Sequence, residues 1–246
     1  MDPKISIVTV VYNNKIGLER TIQSVINQTY QNKEFIVIDG GSTDGTLNIV
    51  EKYKKHIDHF ISEPDKGIYD AMNKGIKLAT GAWINFMNSG DTFFNNYTLE
   101  KIAPILYKYE NYALIYGNKF QNGSIIYPLD IRSLEVGEIM ACHQSMFFNR
   151  VLLSSDLEYD LRFSIYGDYE LVNRIYRKYR DKIKYVNITI AIFEGNGISA
   201  KKTFKKRKDK YLAIYESYGI LGLIRALKYR ILCRGLNLKC EKIIGP

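Results

Sequence analysis

Four short polar stretches hold the side chains able to do chemistry in this 246-residue chain. Asp39-Gly-Gly-Ser-Thr-Asp44 follows an apolar run. An acidic residue at a strand end can accept from a base N–H or a ribose hydroxyl, the glycines let backbone approach a ligand, and a helix N-terminus follows. The same letters make a tight capped turn equally well. They spell neither G-x-G-x-x-G nor a Walker loop, which counts against dehydrogenase and P-loop chemistry. Asn88-Ser-Gly-Asp91 ends a later apolar run; a carboxylate there can share a hard divalent cation with a diphosphate, although most single Asp residues in polar turns only form the turn. Asp168, in Tyr166-Gly-Asp-Tyr-Glu170, opens a helical pattern, where the helix dipole favours an ionised carboxylate suited to accept a proton. Its competing role is helix N-cap, which the local letters alone favour. Cys142-His143-Gln144 precedes a strand. No other Cys or His stands at ligand spacing from Cys142 and His143, so zinc is not expected, and His56 and His59 read as structural.

The elements that must position these residues alternate in period. Ile5–Tyr12 is a continuous β-branched run, the mark of a strand buried on both faces. Leu18, Ile22, Val25 and Ile26 recur at helical spacing. Phe35–Asp39 is a second buried strand, with Ser42 and Asp44 as candidate caps for a helix carrying Leu47, Ile49 and Val50. Phe60-Ile61 is a short strand, Ile68, Met72, Ile76 and Ala79 mark a helix, Trp83–Met87 is a strand, and Leu99, Ile102, Ala103 and Leu106 mark another helix. Strand and helix in alternation predict βαβ units and a parallel sheet, with ligands beyond the carboxyl ends of the strands. Asn13-Asn14, Asp39–Thr46 and Asn88–Asp91 all fall at that edge. After about residue 110 strands at 113–116, 124–127, 146–148 and 188–193 surround one helix over 168–179. Residues 201–216 read as a charged helix and 219–236 as an amphipathic one. With no repeat and no linker, the division is one domain over 1–200 and a helical extension over 201–246.

Composition sets the outer bounds. The chain is 46% hydrophobic, 25% charged and 13% aromatic, which excludes a disordered protein. Cys142, Cys233 and Cys240 form no disulfide framework and suit a reducing compartment. Residues 201–246 hold 13 Lys and Arg against 3 Asp and Glu, leaving 22 against 23 in the first 200, so the formal charge of +9 belongs to the tail. A neutral body with a basic tail calls for a local anionic partner, a membrane surface or a phosphate-rich ligand. The N-terminus lacks a signal peptide pattern and no apolar run reaches the roughly 18 residues of a membrane span, which predicts a cytoplasmic protein able to touch a membrane. Ile220, Ile224, Leu227 and Ile231 form an apolar stripe with Arg225, Lys228 and Arg230 mostly off it and Arg234 near it. Docking on the chain's own domain and contact with lipid fit that stripe equally. Nothing resembling an RNA- or DNA-binding motif accompanies the charge, so nucleic acid is not an expected partner. Oligomeric state is not legible.

Together the strings SIVTVVYN, QTYQNKEFIVIDGGSTDGT, SEPDKGIYDAMNKGIKLATG, INFMNSGD and CHQSMFFNR, over roughly residues 4–200, resemble family-two glycosyltransferases, in particular bacterial enzymes of O-antigen, capsule and exopolysaccharide synthesis. The resemblance implies a GT-A fold, an α/β architecture with a mixed, mostly parallel sheet flanked by helices. It also implies a nucleotide-sugar donor, UDP being the commonest, a divalent Mn²⁺ or Mg²⁺, and inversion at the anomeric carbon. It assigns Thr9, Val11, Tyr12 and Asn13 to the nucleoside pocket, Asp39 to the base, and Asp44 to the loop or ribose region. Lys66, Asp70 and Asn73 would face the donor. Asn88, Ser89, Gly90 and Asp91 match the metal motif, with Asp91 its one acidic ligand, since Asn88 and Gly90 stand where carboxylates are common. His143 would lie near donor sugar and acceptor. Outside the core of the resemblance, Lys201 follows the glycine-containing stretch 195–199, which could close it over a diphosphate. Asp168 matches the catalytic base, although Gly167 stands where an acidic residue or Ala usually precedes it. The implied acceptor is a glycan on a polyprenyl diphosphate at the cytoplasmic face of a bacterial inner membrane. The rival expectation is a GT-A-like subunit that binds nucleotide-sugar or membrane with weakened catalysis, to which the thinned metal motif points.

Overall fold

The computed structural model describes residues 2–195 and 204–235. Strands β1 (Ile5–Val11), β2 (Lys33–Asp39), β3 (His59–Ser62) and β4 (Trp83–Phe86) run parallel in the order β3-β2-β1-β4. Helices α1 (Lys15–Ile26), α2 (Thr46–Tyr53) and α3 (Ile68–Leu78) connect them. Beyond β4 the sheet continues through β8 (Met146–Asn149), β6 (Leu114–Gln121), β9 (Ile183–Ile192) and β5 (Thr92–Phe93), with β7 (Ser124–Ile126) as a hairpin partner of β6. Here β8 is antiparallel to both β4 and β6, and β9 is parallel to β6. The change from parallel to antiparallel at β4–β8 puts a crevice beyond the carboxyl end of β4, where doubly wound sheets bind ligands.

Alternation on the central strands sorts the core into two layers. Ile7, Phe35 and Val37 face Leu18 and Ile22 of α1 and Leu99 and Ile102 of α4 (Thr98–Lys108). Val8, Val10, Ile36 and Ile38 face Met72 of α3, Leu171 and Ile175 of α6 (Gly167–Lys178), and Ile214 of α7 (Phe204–Gly235). Burial on both faces is why these strands read as unbroken apolar runs rather than alternating ones.

The expected strands and helices are present, with three differences. The two-residue β5 carries no periodic signal of its own. Strand β9 begins at Ile183, earlier than its apolar letters indicate, because its first residues are half exposed against β6. The two C-terminal helices form one element broken at Gly219, whose φ of 63° and ψ of −156° lie outside the helical region and are accessible to glycine. The limb over 220–235 folds back along 204–218, so that Arg230 donates to the Tyr211 hydroxyl at 3.0 Å. The first limb is anchored on the body: the Asp209 carboxylate accepts the backbone N–H of Ser164 at 2.9 Å and of Ile165 at 3.0 Å, and Lys210 pairs with Glu138. It thereby fixes the segment that leads into Asp168. In the second limb Gly222, Ala226, Tyr229 and Cys233 turn inward. The apolar stripe points the other way, with Ile220, Ile224, Leu227 and Ile231 67, 43, 54 and 60% exposed. No helix of the described residues is long and apolar enough to cross a membrane.

Candidate active site

A cleft of about 1200 Å³ opens at the carboxyl edge of β1 and β4. One wall carries Val11, Tyr12, Asn14, Gly40, Asp65 and Tyr69; the other carries Ile126, Tyr127, Leu129, Ile139 and Met140. Asn88, Ser89, Asp91, His143, Gln144 and Asp168 also line it. The volume exceeds the roughly 300–1,000 Å³ typical of a site for one small ligand.

The base candidate is set by α6. The residue before this helix is Tyr166, and no side chain caps it. Asp168 therefore lies inside the first turn, and its carboxylate is not spent on the N-cap role that the local letters favoured. Instead Asp168 Oδ2 stands 2.9 Å from His143 Nδ1. The other oxygen, Oδ1, is buried and makes no hydrogen bond of ordinary geometry, although the buried Tyr159 hydroxyl lies close enough to interact with the carboxylate. Gly167 has a physical reason here: a Cβ at that position would lie 2.7 Å from the Tyr69 ring, so the ring takes the space a larger neighbour would fill.

His143 is enclosed and engaged on both nitrogens. Its Nε2 lies 2.9 Å from the Asn88 amide nitrogen. An amide nitrogen only donates, so Nε2 accepts and the ring proton sits on Nδ1, pointing at Asp168. Burial disfavours the charged ring, but the Asp168 carboxylate outweighs it and the His143 pKa is raised. Burial also raises Cys142, so no activated thiolate stands beside it.

Asp91 is buried, and burial raises its pKa. Its Oδ2 accepts the Gln144 side-chain amide at 2.5 Å and its Oδ1 the Glu194 backbone N–H at 2.9 Å. Gly90, at φ +108°, brings the chain past the Glu194 carboxylate, which pairs with Arg20. Each Asp91 oxygen keeps a second lone pair, and Asn88 Oδ1 next to it is buried and unpartnered. Among the described residues no group of three or more His, Cys, Asp or Glu side chains forms a metal cage. One carboxylate and neutral oxygens nevertheless fit a Mg²⁺ or Mn²⁺ that takes its remaining ligands from a bound diphosphate.

The remaining expected site residues divide sharply. Val11 and Tyr12 line the cleft, whereas Thr9 is fully buried and donates to the Met87 carbonyl at 2.7 Å, holding β1 to β4. Asn13 ties the β1 loop to the next, accepting from Thr43 N and donating its backbone N–H to Ser42 Oγ. Asp39 is not among the residues lining the cleft, and its carboxylate takes the N–H groups of Gly41 and Ser42 and the Ser62 hydroxyl. Asp44 holds its loop, accepting from Thr46 and from Lys15 N. Of Lys66, Asp70 and Asn73, none lines the cleft. Asp70 accepts the Lys66 backbone N–H at the start of α3, and Asn73 clamps both backbone groups of Tyr159 at 2.8 Å. Asp65 and Tyr69 occupy the cleft wall in their place, because helix α3 turns Asn73 toward the 159 segment. Lys201, with 196–203, lies outside the described residues. Gln144 and Glu194 were missed; Gln144 stands in the same CHQS string as His143, and Glu194 is the polar residue just past an apolar strand.

The profile of the family described as "Glycosyl transferase family 2" matches residues 6–203. A PGL/p-HBAD biosynthesis glycosyltransferase of Mycobacterium bovis is 30% identical over 217 residues, covering 83% of this chain and 84% of its own length. Chondroitin synthase of Escherichia coli is 28% identical over 98% of this chain, which spans 36% of that enzyme. Among solved structures, S. aureus TarS 1-349 in complex with UDP-GlcNAc superposes with a TM-score of 0.70 at 20% identity, covering 95% of this chain and 72% of that one; this chain spans 43% of the longer TarS structure. A mannosyltransferase from Pyrobaculum calidifontis, in complex with GDP-Man and Mn²⁺, superposes with a TM-score of 0.64 at 15% identity over 96% of this chain and 76% of its own. These neighbours identify the fold as GT-A, and with the sequence match over four-fifths of its length the chain belongs to glycosyl transferase family 2.

Proposed function

We propose that this glycosyltransferase inverts the anomeric centre of a nucleotide-sugar, a UDP-sugar by preference, with Asp168 as general base. The observation that carries the reading is the Asp168 carboxylate, which lines the cleft in the first turn of α6, is part exposed and is held by His143. The Asp168 carboxylate takes the proton of an acceptor hydroxyl as that hydroxyl attacks the anomeric carbon from the face opposite the nucleotide. Tyr12, Gly40 and Asp65 border the nucleotide's side of the cleft. Asp91 would hold a divalent Mg²⁺ or Mn²⁺, which would supply positive charge opposite the departing nucleotide diphosphate. No covalent sugar–enzyme intermediate is required.

The acceptor is a glycan carried on a lipid, in bacterial surface polysaccharide synthesis. Two features support it. The far wall of the cleft, through Ile126, Tyr127, Leu129, Ile139 and Met140, offers apolar surface to an acceptor's non-sugar part. The outward ridge of α7, flanked by Arg225, Lys228 and Arg230 with no acidic residue between 220 and 235, suits peripheral contact with anionic lipid at the cytoplasmic face of a membrane.

Thermal shift with UDP, GDP and dTDP, each with Mn²⁺ or Mg²⁺, tests the donor: UDP with metal should raise the melting point most. Equal shifts from all three would remove the UDP preference, and no shift from any would remove the nucleotide-sugar reading. Flotation with phosphatidylglycerol vesicles tests the lipid contact. Binding should weaken with salt and disappear in Ile224→Asp/Leu227→Asp, while a soluble acceptor is still used. Concentration-dependent dimers that the double variant abolishes would give the ridge to a second copy instead.

A further inference from the structure

Two carboxylates, Asp91 at the end of β4 and Asp168 on α6, must hold a fixed relation if one serves the donor and the other the acceptor. They lie far apart in sequence, on different elements. What joins them is one 3₁₀ turn, His143–Ser145, at the start of β8. Successive residues of this turn each grip one carboxylate. His143 Nδ1 meets Asp168 Oδ2 at 2.9 Å, and Gln144 Nε2 meets Asp91 Oδ2 at 2.5 Å. The turn itself is pinned to the sheet: Asn85, buried on β4, donates its side-chain amide to the carbonyls of Gln144 at 3.0 Å and Met146 at 2.9 Å. Ser145 closes it by bonding back to the Cys142 carbonyl. Gln144 is 2% exposed and contributes nothing to the surface.

The geometry points to His143 and Gln144 as a positioning pair, in which His143 sets the orientation of the Asp168 carboxylate toward the acceptor while Gln144 aims Asp91 at the donor diphosphate. This rests on the roles given to Asp168 and Asp91 above and adds a division of labour between adjacent residues. His143 acts on Asp168 through its Nδ1 side. The amide nitrogen of Asn reaches where Nδ1 stands, and that of Gln reaches where Nε2 stands, so the two amides separate that contact from the one to Asn88. Gln144 acts through a single N–H, which Met removes at nearly constant volume.

The test measures UDP release from a panel of UDP-hexoses and UDP-N-acetylhexosamines, together with the affinity for UDP in the presence of Mn²⁺. Outer partners of this kind typically matter 10–100-fold. His143→Gln should lower kcat by about 10–100-fold with UDP affinity within about twofold, and His143→Asn should recover most of that kcat. Gln144→Met should weaken UDP–Mn²⁺ binding by about tenfold while kcat at saturating donor stays within about threefold. Gln144→Asn, one methylene too short to reach Asp91, carries the same contrast should Gln144→Met fail to fold. The proposal is overturned if His143→Asn is as poor as His143→Gln, or if the His143 and Gln144 variants move kcat and UDP affinity in the same proportions. Normal turnover in Asp168→Asn would instead remove the reading beneath the His143 half and leave Gln144 to be judged on UDP affinity alone.

Discussion

The loops after β1 and β2 and the junction around the 143–145 turn use the same residue types, Asp, Asn and Gln, in opposite ways. In the loops, Asp39 collects two backbone N–H groups and a hydroxyl and Asp44 collects Thr46 and Lys15, and on the neighbouring α3 Asn73 uses both ends of its amide on Tyr159. At the junction, Asn85 Oδ1, Asn88 Oδ1, Gln144 Oε1, Tyr159 Oη and Asp168 Oδ1 are all buried without a hydrogen bond of ordinary geometry, the Tyr159 hydroxyl and the Asp168 carboxylate lying close enough to interact, and among the described residues such atoms occur nowhere else. A buried polar atom left unpaired costs on the order of 1–3 kcal/mol. Four of these five can only accept, so hydroxyl groups or a hard cation relieve the cost. Side chains satisfied within the fold shape the site; of those left unsatisfied, Asn88, Gln144 and Asp168 line the cleft, where the proposed donor, acceptor and metal would find their contacts.

The sharpest way to break this contrast is at Asp168. Asp168→Asn keeps the shape but cannot take a proton, so turnover should fall by about 10²-fold or more while UDP binding holds. Near-normal turnover would mean that a carboxylate held by His143 at the edge of this cleft is no guide to catalysis.

Much of the contrast was hidden in the sequence for a physical reason. Strings of apolar letters placed β1, β2, β4 and the helices between them, and the resemblance brought Asp91, His143 and Asp168 to one place. What letters do not carry is the direction of a polar side chain. Asp39 and Asn73 look as free to meet a ligand as Asn88 does, and only the hydrogen bonds of the fold separate them. The C-terminal stripe was legible as a pattern but not as a surface. Its opposite face carries Gly222, Ala226 and Cys233 beside Tyr229, and Gly222 lets the limb pass close to Tyr218 and Ile214 of the first limb, while the Ile and Leu side chains of the stripe face outward.

The next comparison weighs Asp91 against Asp39. Asp91→Ala should weaken Mn²⁺-dependent UDP binding by roughly 10–100-fold with little effect on binding measured in chelator. Undiminished activity of the wild type in excess chelator would transfer the neutralising role to Lys or Arg. Asp39→Asn should act on the fold instead: two backbone N–H groups lose a charged acceptor, costing about 1–3 kcal/mol, which is several degrees of melting temperature. Activity per folded molecule should then fall only a few-fold, by about 1 kcal/mol or less. A collapse of UDP affinity without any thermal change would return Asp39 to direct contact with the base.

The smallest effect on activity is expected at Glu34, a satisfied carboxylate at the opposite edge of the sheet. Glu34 is buried and accepts from Ser6, from both Thr80 groups and from Gly81 N at 2.9 Å, with Lys4 at 2.8 Å. Burial alone would push this carboxyl up, but the bonds from Lys4, Ser6 and Thr80 reverse the effect and bring its pKa down to about 2. A carboxyl depressed on folding contributes stability that is complete above its unfolded value, near 4.5, and is lost as pH falls toward about 2. The shift corresponds to about 2–3 kcal/mol, allowing for the half-exposed Lys4. Glu34→Gln should therefore be less stable than wild type at pH 7 by that order, and the gap should close as pH is lowered from about 5 to about 2. Urea unfolding midpoints at pH 7, 5, 4 and 3 read this directly, and a gap that stays constant would show that packing, not ionisation, makes the difference. At pH 7 kcat should remain within about twofold, because a carboxylate whose every bond is to the fold has none left to give a substrate.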